Sequence, residues 1–278
     1  MRAKMVVALI SAATLLLALS PVAHAEDLLE PCKIKALDNT NHMRVGWPID
    51  KDVLKSTGPI KILVLVADFS DDPQKILDAT AIKNMMDLST ISNYYKSVSN
   101  SLFTPNFTIF PEYVRMPETS AHYGKQLEID EVVNGEWESH HMTHDAIDVA
   151  SKALKISTFD AAIVVVSGGS SLSGRVALAT SQDAGLDVHE SGELHNTILV
   201  GIQSFSIEGL QPWKILVHEI NHLMGVPDLY LYETDGWWQG KSAGPFGMQG
   251  FLRGHSATDS LGWNRWQRGW VPNERILC

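Results

Sequence analysis

The sequence predicts an α+β fold in which a twisted, mixed sheet packs against helices. Short apolar runs bounded by polar residues are typical of buried strands, and they alternate with segments whose apolar residues recur at helical spacing. The chain has 278 residues, 45% of them apolar and 19% charged, which is the composition of a globular protein with a sizeable core. This composition argues against disorder, a collagen-like chain and a membrane protein with several spans.

The first half of the chain contains three predicted strands and one predicted helix. Residues 61–68 form a short apolar run that predicts a buried strand. Residues 80–97 place apolar side chains at mainly helical spacings, which predicts one continuous helix. Residues 107–110 and 113–116 predict two short strands that proline residues separate.

The second half predicts two further strands and two helices. Residues 160–167 and 197–203 predict strands of the same sheet, and residues 141–154 predict an amphipathic helix. A helix over 212–224 is predicted to end where Gly225 follows. We expect the helices at 80–97 and 141–154 to pack against the sheet.

The first 25 residues have the pattern of a secretory signal peptide. Arg2 and Lys4 precede an apolar stretch at 6–19, and Ala23 and Ala25 provide small residues before a cleavage site. The apolar stretch is shorter than the ~20 residues that a membrane-spanning helix needs. The sequence therefore predicts an exported protein, extracellular or periplasmic, with no membrane attachment once the signal is removed.

The rest of the chain divides into an arm and a main domain. Residues 26–57 show no clear periodicity and predict an N-terminal arm or a short propeptide, and residues 58–278 predict the main domain. Whether the arm is removed on activation stays open. The formal net charge is −10, and an acidic chain is repelled by phosphate backbones, so nucleic acid is not expected as a partner.

Two cysteines, Cys32 and Cys278, lie near opposite ends of the mature chain. In an oxidising compartment such a pair often forms a disulfide, which is the expectation we adopt. Two alternatives stay open at this point: both thiols are free, or Cys32 ligates a metal in a latent form of the protein.

One sequence motif predicts a metal-binding site. Residues 218–222 read His-Glu-Ile-Asn-His, and two histidines four residues apart on a helix share one face, so both rings can reach one metal ion. Glu219, next to the first histidine, can then face a metal-bound water. Zinc suits this arrangement because it accepts nitrogen and oxygen ligands tetrahedrally and keeps a position open for water. The motif predicts His218 and His222 as zinc ligands and Glu219 as a general base.

The residues after the motif predict a third metal ligand. Gly225 can adopt a left-handed turn, and Pro227 prevents the helix from continuing, so the chain folds back under the metal. Asp228 follows ten residues after His218 and is the predicted third ligand. Glu233 is a weaker contender because it lies beyond that turn.

These segments resemble the immune inhibitor A-type metallopeptidases, a family of secreted zincins with metzincin character. The resemblance covers roughly residues 58–272 and rests on HEINHLMGVPDLY, KILVLVADFSDDP, ISNYYKSVSNSLF, FDAAIVVVSGG, GPFGMQG and SLGWNRWQRGWV. It implies a zincin-like catalytic domain over 58–278, with an active-site helix at the floor of a cleft and a smaller lower half after Gly225. It also implies that Met248 belongs to a turn beneath the metal.

The function that follows is a secreted zinc endopeptidase acting on protein or peptide substrates. Glu219 would take the proton of a zinc-activated water as that water attacks the peptide carbonyl. The sequence leaves Tyr230, Tyr232 and His255 as alternative residues for stabilising the oxyanion. It leaves the oligomeric state open.

The sequence is also consistent with two other functions and with one further metal site. The alternative functions are a zincin-shaped binding or adhesion protein without turnover, and a zinc hydrolase of non-peptide amides or esters. The intact Glu219 argues against the first. The acidic pair Asp71 and Asp72 follows the first predicted strand and raises the possibility of a bound Ca²⁺ ion.

Overall fold

The structure is a computed structural model that describes most of the chain after the predicted signal peptide. Residues 1–25, which carry that prediction, lie outside the described residues. Among the described helices, none is long and apolar enough to cross a membrane. The described residues are 28–36, 43–73, 79–125, 139–167, 178–180, 194–230, 246–250, 252 and 258–278.

The chain forms two compact units. The smaller unit contains the described residues 28–34 and 272–278, and the disulfide between Cys32 and Cys278 joins its two segments with a Cα–Cα distance of 5.7 Å. This bond confirms the predicted pairing, and it excludes both free thiols and a metal-binding thiolate at Cys32 in this state of the protein. The larger unit covers 35–271 and contains the sheet.

The described residues of the larger unit form a mixed five-stranded sheet. The strands are β1 (Gly58–Asp68), β2 (Phe103–Arg115), β3 (Ala161–Val166), β4 (Leu178–Thr180) and β5 (Thr197–Gly201). Their order in the sheet is β2-β1-β3-β5-β4; four strands are parallel, and β4 pairs antiparallel with β5 at one edge. The mixed α/β architecture and the four strands near 61, 107, 160 and 197 agree with the sequence prediction, whereas β4 was not predicted.

Helices cover both faces of this sheet, which explains why its central strands are continuous apolar runs. The helices are α1 (Ala79–Met86), α2 (Leu88–Val98), α3 (Ser139–Ser151), α4 (Pro212–Leu223) and α5 (Gly262–Gln267). Alternate residues of β1 point to opposite sides: Ile62 and Val64 pack with α1, α2 and α4, while Leu63 and Leu65 pack with α3. The predicted packing of helices against the sheet is therefore confirmed.

The prediction of one continuous helix over 80–97 is wrong, because two helices occupy this segment. Asp87 separates α1 from α2 with a left-handed backbone at φ 51°. Its side chain accepts a hydrogen bond from the backbone N–H of Thr90 and so caps the start of α2. The apolar spacing runs through this break, so the pattern alone did not reveal it.

The two short strands predicted at 107–110 and 113–116 are also a misassignment, because β2 is one continuous strand. It lies at the edge of the sheet, where a proline can leave its missing N–H on the unpaired side. Pro105 pairs opposite Ile60, and Pro111 falls at a register shift between Val64 and Val66 of β1. The edge position therefore accommodates prolines that would break an inner strand.

The remaining element ends shift by a few residues. The strand predicted over 197–203 stops at Gly201 and continues as the 3₁₀ turn Ile202–Ser206. The helix predicted over 141–154 is α3, which begins and ends earlier. The helix predicted over 212–224 is α4, with Met224 as its C-cap.

Part of the predicted arm, residues 43–57, packs within the larger unit against the end of α4. The backbone N–H of Leu54 donates to the carbonyl of Leu223 at 2.7 Å, and that of Arg44 donates to the carbonyl of Gly225 at 3.0 Å. The ring of Trp47 lies 4.6 Å from that of Trp266 on α5, centroid to centroid. This segment therefore supports the end of α4 through backbone hydrogen bonds.

Of the two acidic residues after β1, Asp71 has a structural role. The carboxylate of Asp71 accepts hydrogen bonds from the backbone N–H and hydroxyl of Ser120 and from the N–H of Ala121, at the start of a helical turn over 120–125. Burial raises the pKa of Asp71, but these hydrogen bonds together lower it by more, so its pKa lies below the usual value. Neither Asp71 nor Asp72 belongs to a group of three possible metal ligands among the described residues.

We expect Asp71→Ala to lower the free energy of unfolding by about 1 kcal/mol, the usual cost of losing a helix-capping acceptor. Because the folded pKa is depressed, this contribution is present above the unfolded pKa and is lost as the pH falls through the folded value. Urea unfolding at neutral and acidic pH measures both effects. The neighbouring change Asp72→Ala is the matched control, and an equal loss in both variants would contradict the capping role.

Candidate metal site

The helix α4 carries the two histidines through the interior of the larger unit. Pro212 occupies its first turn, where its missing N–H costs nothing, and all residues from 213 to 223 are buried. A helix that is buried on every side keeps its polar side chains only where they have partners. The contacts of His218, Glu219 and His222 therefore indicate the role of this helix.

The two imidazole rings are oriented by backbone carbonyls. Nδ1 of His218 lies 3.0 Å from the carbonyl oxygen of Met248, and Nδ1 of His222 lies 2.6 Å from that of Val226. A carbonyl oxygen only accepts, so each Nδ1 carries the hydrogen and donates it. In a neutral ring, Nε2 is then left as an acceptor lone pair, the form in which histidine binds a metal.

Asp228 is brought to the same point by the turn after α4. Gly225 has φ +80°, and its N–H donates to the carbonyl of His222 while the N–H of Val226 donates to that of Asn221. This pair of hydrogen bonds is the Schellman pattern that ends helices at glycine, as the sequence predicted. The chain then reverses, and Asp228 faces the histidines.

Three ligand atoms converge at this place. Oδ1 of Asp228 lies 3.0 Å from Nε2 of His218 and 3.2 Å from Nε2 of His222, and the two Nε2 atoms lie 3.0 Å apart. Burial raises the pKa of Asp228, but hydrogen bonds and positive charge from a protonated ring of His218 or His222 lower it by more, so its pKa lies well below the usual range and the group is a carboxylate. The site thus combines two ring nitrogens with one negative oxygen.

This donor set fits a metal ion. A carboxylate and two Nε2 lone pairs repel one another at such distances unless positive charge lies among them. One proton on a ring can bridge to Asp228, but two protons would place both Nε2–H groups against each other. A tetrahedral zinc ion with ligands at 2.0–2.1 Å places them about 3.3 Å apart, close to the spacing here. His218, His222 and Asp228 could therefore hold a metal ion.

The structure describes some of the other candidate site residues named from the sequence and not the rest. Glu219 is buried on α4, directly after His218, with 5% of its surface exposed. The ring of Tyr230 stacks on that of His218, with centroids 6.2 Å apart and planes 17° from parallel. Tyr232, His255 and the weaker contender Glu233 lie outside the described residues.

The turn at 246–250 contributes more than the sequence indicated. Met248 is buried, and it contacts His218 through its backbone carbonyl, while its sulfur lies 3.5 Å from the hydroxyl of Thr258. Gln249, which the sequence analysis did not single out, has its amide nitrogen 3.3 Å from Nδ1 of His222. A glutamine outside any spacing motif gives no signal of such a contact in the sequence.

Comparison with known proteins leaves the family of this chain unassigned. No protein-family model matches it, and no curated protein matches it. Among solved structures, it is similar to metalloproteinase-II from Bacteroides fragilis, with 12% identity and a TM-score of 0.39. The match covers 83% of this chain and 57% of that chain, so this chain spans little more than half of that structure's length. A similarity this distant carries no argument about function.

We expect Asp228→Asn to weaken zinc retention by more than tenfold, because even residues that only orient a ligand contribute 10–100-fold to metal affinity. Zinc content after dialysis against a graded chelator series measures the change. Bound zinc should also raise the melting temperature of the parent protein more than that of the variant. Asp148→Asn, on α3, is the matched control; equal zinc retention in Asp228→Asn and the parent would remove Asp228 from the site.

Proposed function

We propose that this protein is a secreted zinc-dependent endopeptidase that hydrolyses peptide bonds with Glu219 as its general base. The observation that carries the proposal is the convergence of three acceptor atoms within 3.2 Å on a buried helix, with Glu219 next to one of them. The predicted signal peptide and the disulfide between Cys32 and Cys278 support export. Residues 58–278 would form the catalytic domain.

Three protein ligands favour a catalytic over a purely structural zinc site. Structural zinc sites are usually closed by four protein ligands, whereas catalytic sites have three and keep one position for water. Within the described residues, His218, His222 and Asp228 are the group that qualifies. Zinc bound there would supply Lewis-acid activation of a water molecule and polarisation of the scissile carbonyl.

Glu219 would move the protons of this reaction. Its carboxylate would take a proton from the attacking water onto one oxygen and deliver it to the nitrogen of the leaving amine. Its neighbour His218 is held by the carbonyl of Met248, so the carboxylate and the ligand ring start from one rigid helix. A protein that only binds other molecules has no need of this base.

The described residues offer Tyr230 as a partner for the developing oxyanion. Its ring lies nearly parallel to that of His218, with centroids 6.2 Å apart, and this neighbourhood to a proposed ligand supports the role. A hydroxyl can donate to an oxygen that becomes negative during attack. Tyr232 and His255 stay alternatives for this role.

We expect Glu219→Gln to retain zinc but to lose hydrolysis by about 10²–10⁴-fold, the usual contribution of a general base. The measurement is casein hydrolysis together with metal content. Glu208→Gln, an exposed glutamate just before α4, is the control that should behave like the parent. A Glu219 variant that hydrolyses casein at the parental rate would show that the base is a different residue.

A substrate panel separates the proposed reaction from its alternatives. Proteins and unmodified peptides should be cleaved, and a chelator should abolish cleavage until zinc is restored. Cleavage of small esters or non-peptide amides alone would instead identify a zinc hydrolase of another class. Zinc binding without turnover of any substrate would identify a binding protein.

A further inference from the structure

We propose that Gln249 is a positioning residue that holds His222 in its metal-binding orientation. The carbonyl of His218, together with Asn221 and Tyr95, fixes the direction of its amide. This inference rests on the metal site of the proposed function. Gln249 is buried, with 1% of its surface exposed, and all four of its side-chain contacts are with residues of α4. Nothing in the sequence motif assigns it a role.

The amide nitrogen of Gln249 lies over the face of the His222 ring. It is 3.3 Å from Nδ1 and 3.4 Å from Nε2. A point in the ring plane at equal distance from both nitrogens would collide with the carbon between them, so the amide must sit above the plane. There an N–H can donate weakly to the ring face. Gln249 therefore does not occupy the ring plane, in which the lone pair of Nε2 lies, and Nε2 is 3.2 Å from Oδ1 of Asp228. The amide also blocks a tilt of the ring toward Gln249.

The direction of the amide is set by a backbone carbonyl. The nitrogen of Gln249 lies 3.3 Å from the carbonyl oxygen of His218, which can only accept, so the NH₂ group and not the oxygen must face that side. The oxygen of Gln249 then accepts from the amide of Asn221 at 3.0 Å. A flipped amide would bring two acceptor oxygens together and break both contacts.

Tyr95 completes this chain of hydrogen bonds from α2. Because Asn221 donates through its nitrogen, its oxygen accepts, and the hydroxyl of Tyr95 lies 3.1 Å from it. The same hydroxyl lies 3.1 Å from the carbonyl oxygen of Val217. Tyr95 is fully buried in the core, so the last member of the chain is fixed by packing.

The dipeptide 248–249 touches every segment that carries a ligand. The carbonyl of Met248 accepts from His218, and the side chain of Gln249 covers His222. The carbonyl of Gln249 accepts from the N–H of Leu229, which follows Asp228, at 2.8 Å. Gln249 is thus the residue through which the turn fixes the second histidine and the segment of the carboxylate together.

The test uses the full-length protein with cobalt(II) in place of zinc, because its visible absorption spectrum reports ligand geometry. Gln249→Met keeps the volume of the side chain and removes its amide. We expect this variant to lose zinc 10–100-fold more readily than the parent, as for other residues that orient a ligand, and to change the cobalt spectrum. Tyr95→Phe removes only the hydroxyl and should weaken zinc retention up to about tenfold, the worth of one hydrogen bond.

Tyr123→Phe is the matched control. Tyr123 is also a buried tyrosine, with 2% of its surface exposed, and its hydroxyl donates to the carboxylate of Asp145 in the core on the opposite face of the sheet. The loss of this hydroxyl should lower the melting temperature but leave zinc retention and the cobalt spectrum unchanged. This comparison separates positioning of the ligand from a general loss of stability.

The possible outcomes are distinguishable. A parental cobalt spectrum and parental zinc retention in Gln249→Met overturn the positioning role and leave the proposed function intact. If Gln249→Met does not fold, parental zinc retention in Tyr95→Phe overturns the proposal in the same way. A parent protein that binds neither zinc nor cobalt overturns the proposed function itself.

Discussion

The structure depends on one electrostatic constraint: three acceptor atoms are held within 3.2 Å of one another in the protein interior. The carbonyls of Met248 and Val226 create this constraint. They accept the Nδ1–H of His218 and of His222, and this is the only N–H that a neutral imidazole has. What remains is a set of lone pairs and one negative charge, which is costly to bury without a cation. The surrounding fold keeps these atoms together against their mutual repulsion. A metal ion bound among them would relieve this repulsion and gain affinity from it.

The fold keeps the three acceptor atoms together because α4 is packed along its whole length. Its apolar residues pack under the sheet with α1 and α2, so the helix cannot rotate to move its histidines apart. Its last turn is closed by the glycine at 225, whose left-handed backbone redirects the chain toward Asp228. The turn at 246–250 holds α4 through hydrogen bonds of Met248 and Gln249. Two histidines from one helix and one carboxylate from the next turn can then keep a fixed geometry without help from flexible side chains.

The features predictable from the sequence are those written in local patterns. Buried strands appear as apolar runs, the spacing of His218 and His222 requires a helix, and Gly225 marks its end. The features that were missed depend on partners distant in the chain. The helix break at Asp87 is invisible in the apolar spacing, and the prolines of β2 are tolerated only because that strand lies at an edge. The role of Gln249 follows from a contact 27 residues away from His222 in sequence, which no local pattern encodes.

The segment 43–57 shows how such distant contacts reach the site. The C-terminal carbonyls of a helix have no partner within the helix, and here Leu54 and Arg44 supply the N–H groups for Leu223 and Gly225. Without these donors, the carbonyls beside His222 and Val226 would need water, which the packed core around Leu54 excludes. The same segment is anchored at its other end, where Trp47 packs on α5 and the backbone around it accepts hydrogen bonds from Gln267. A stretch of chain with no helical or strand pattern therefore contributes directly to the rigidity of the turn that presents Asp228.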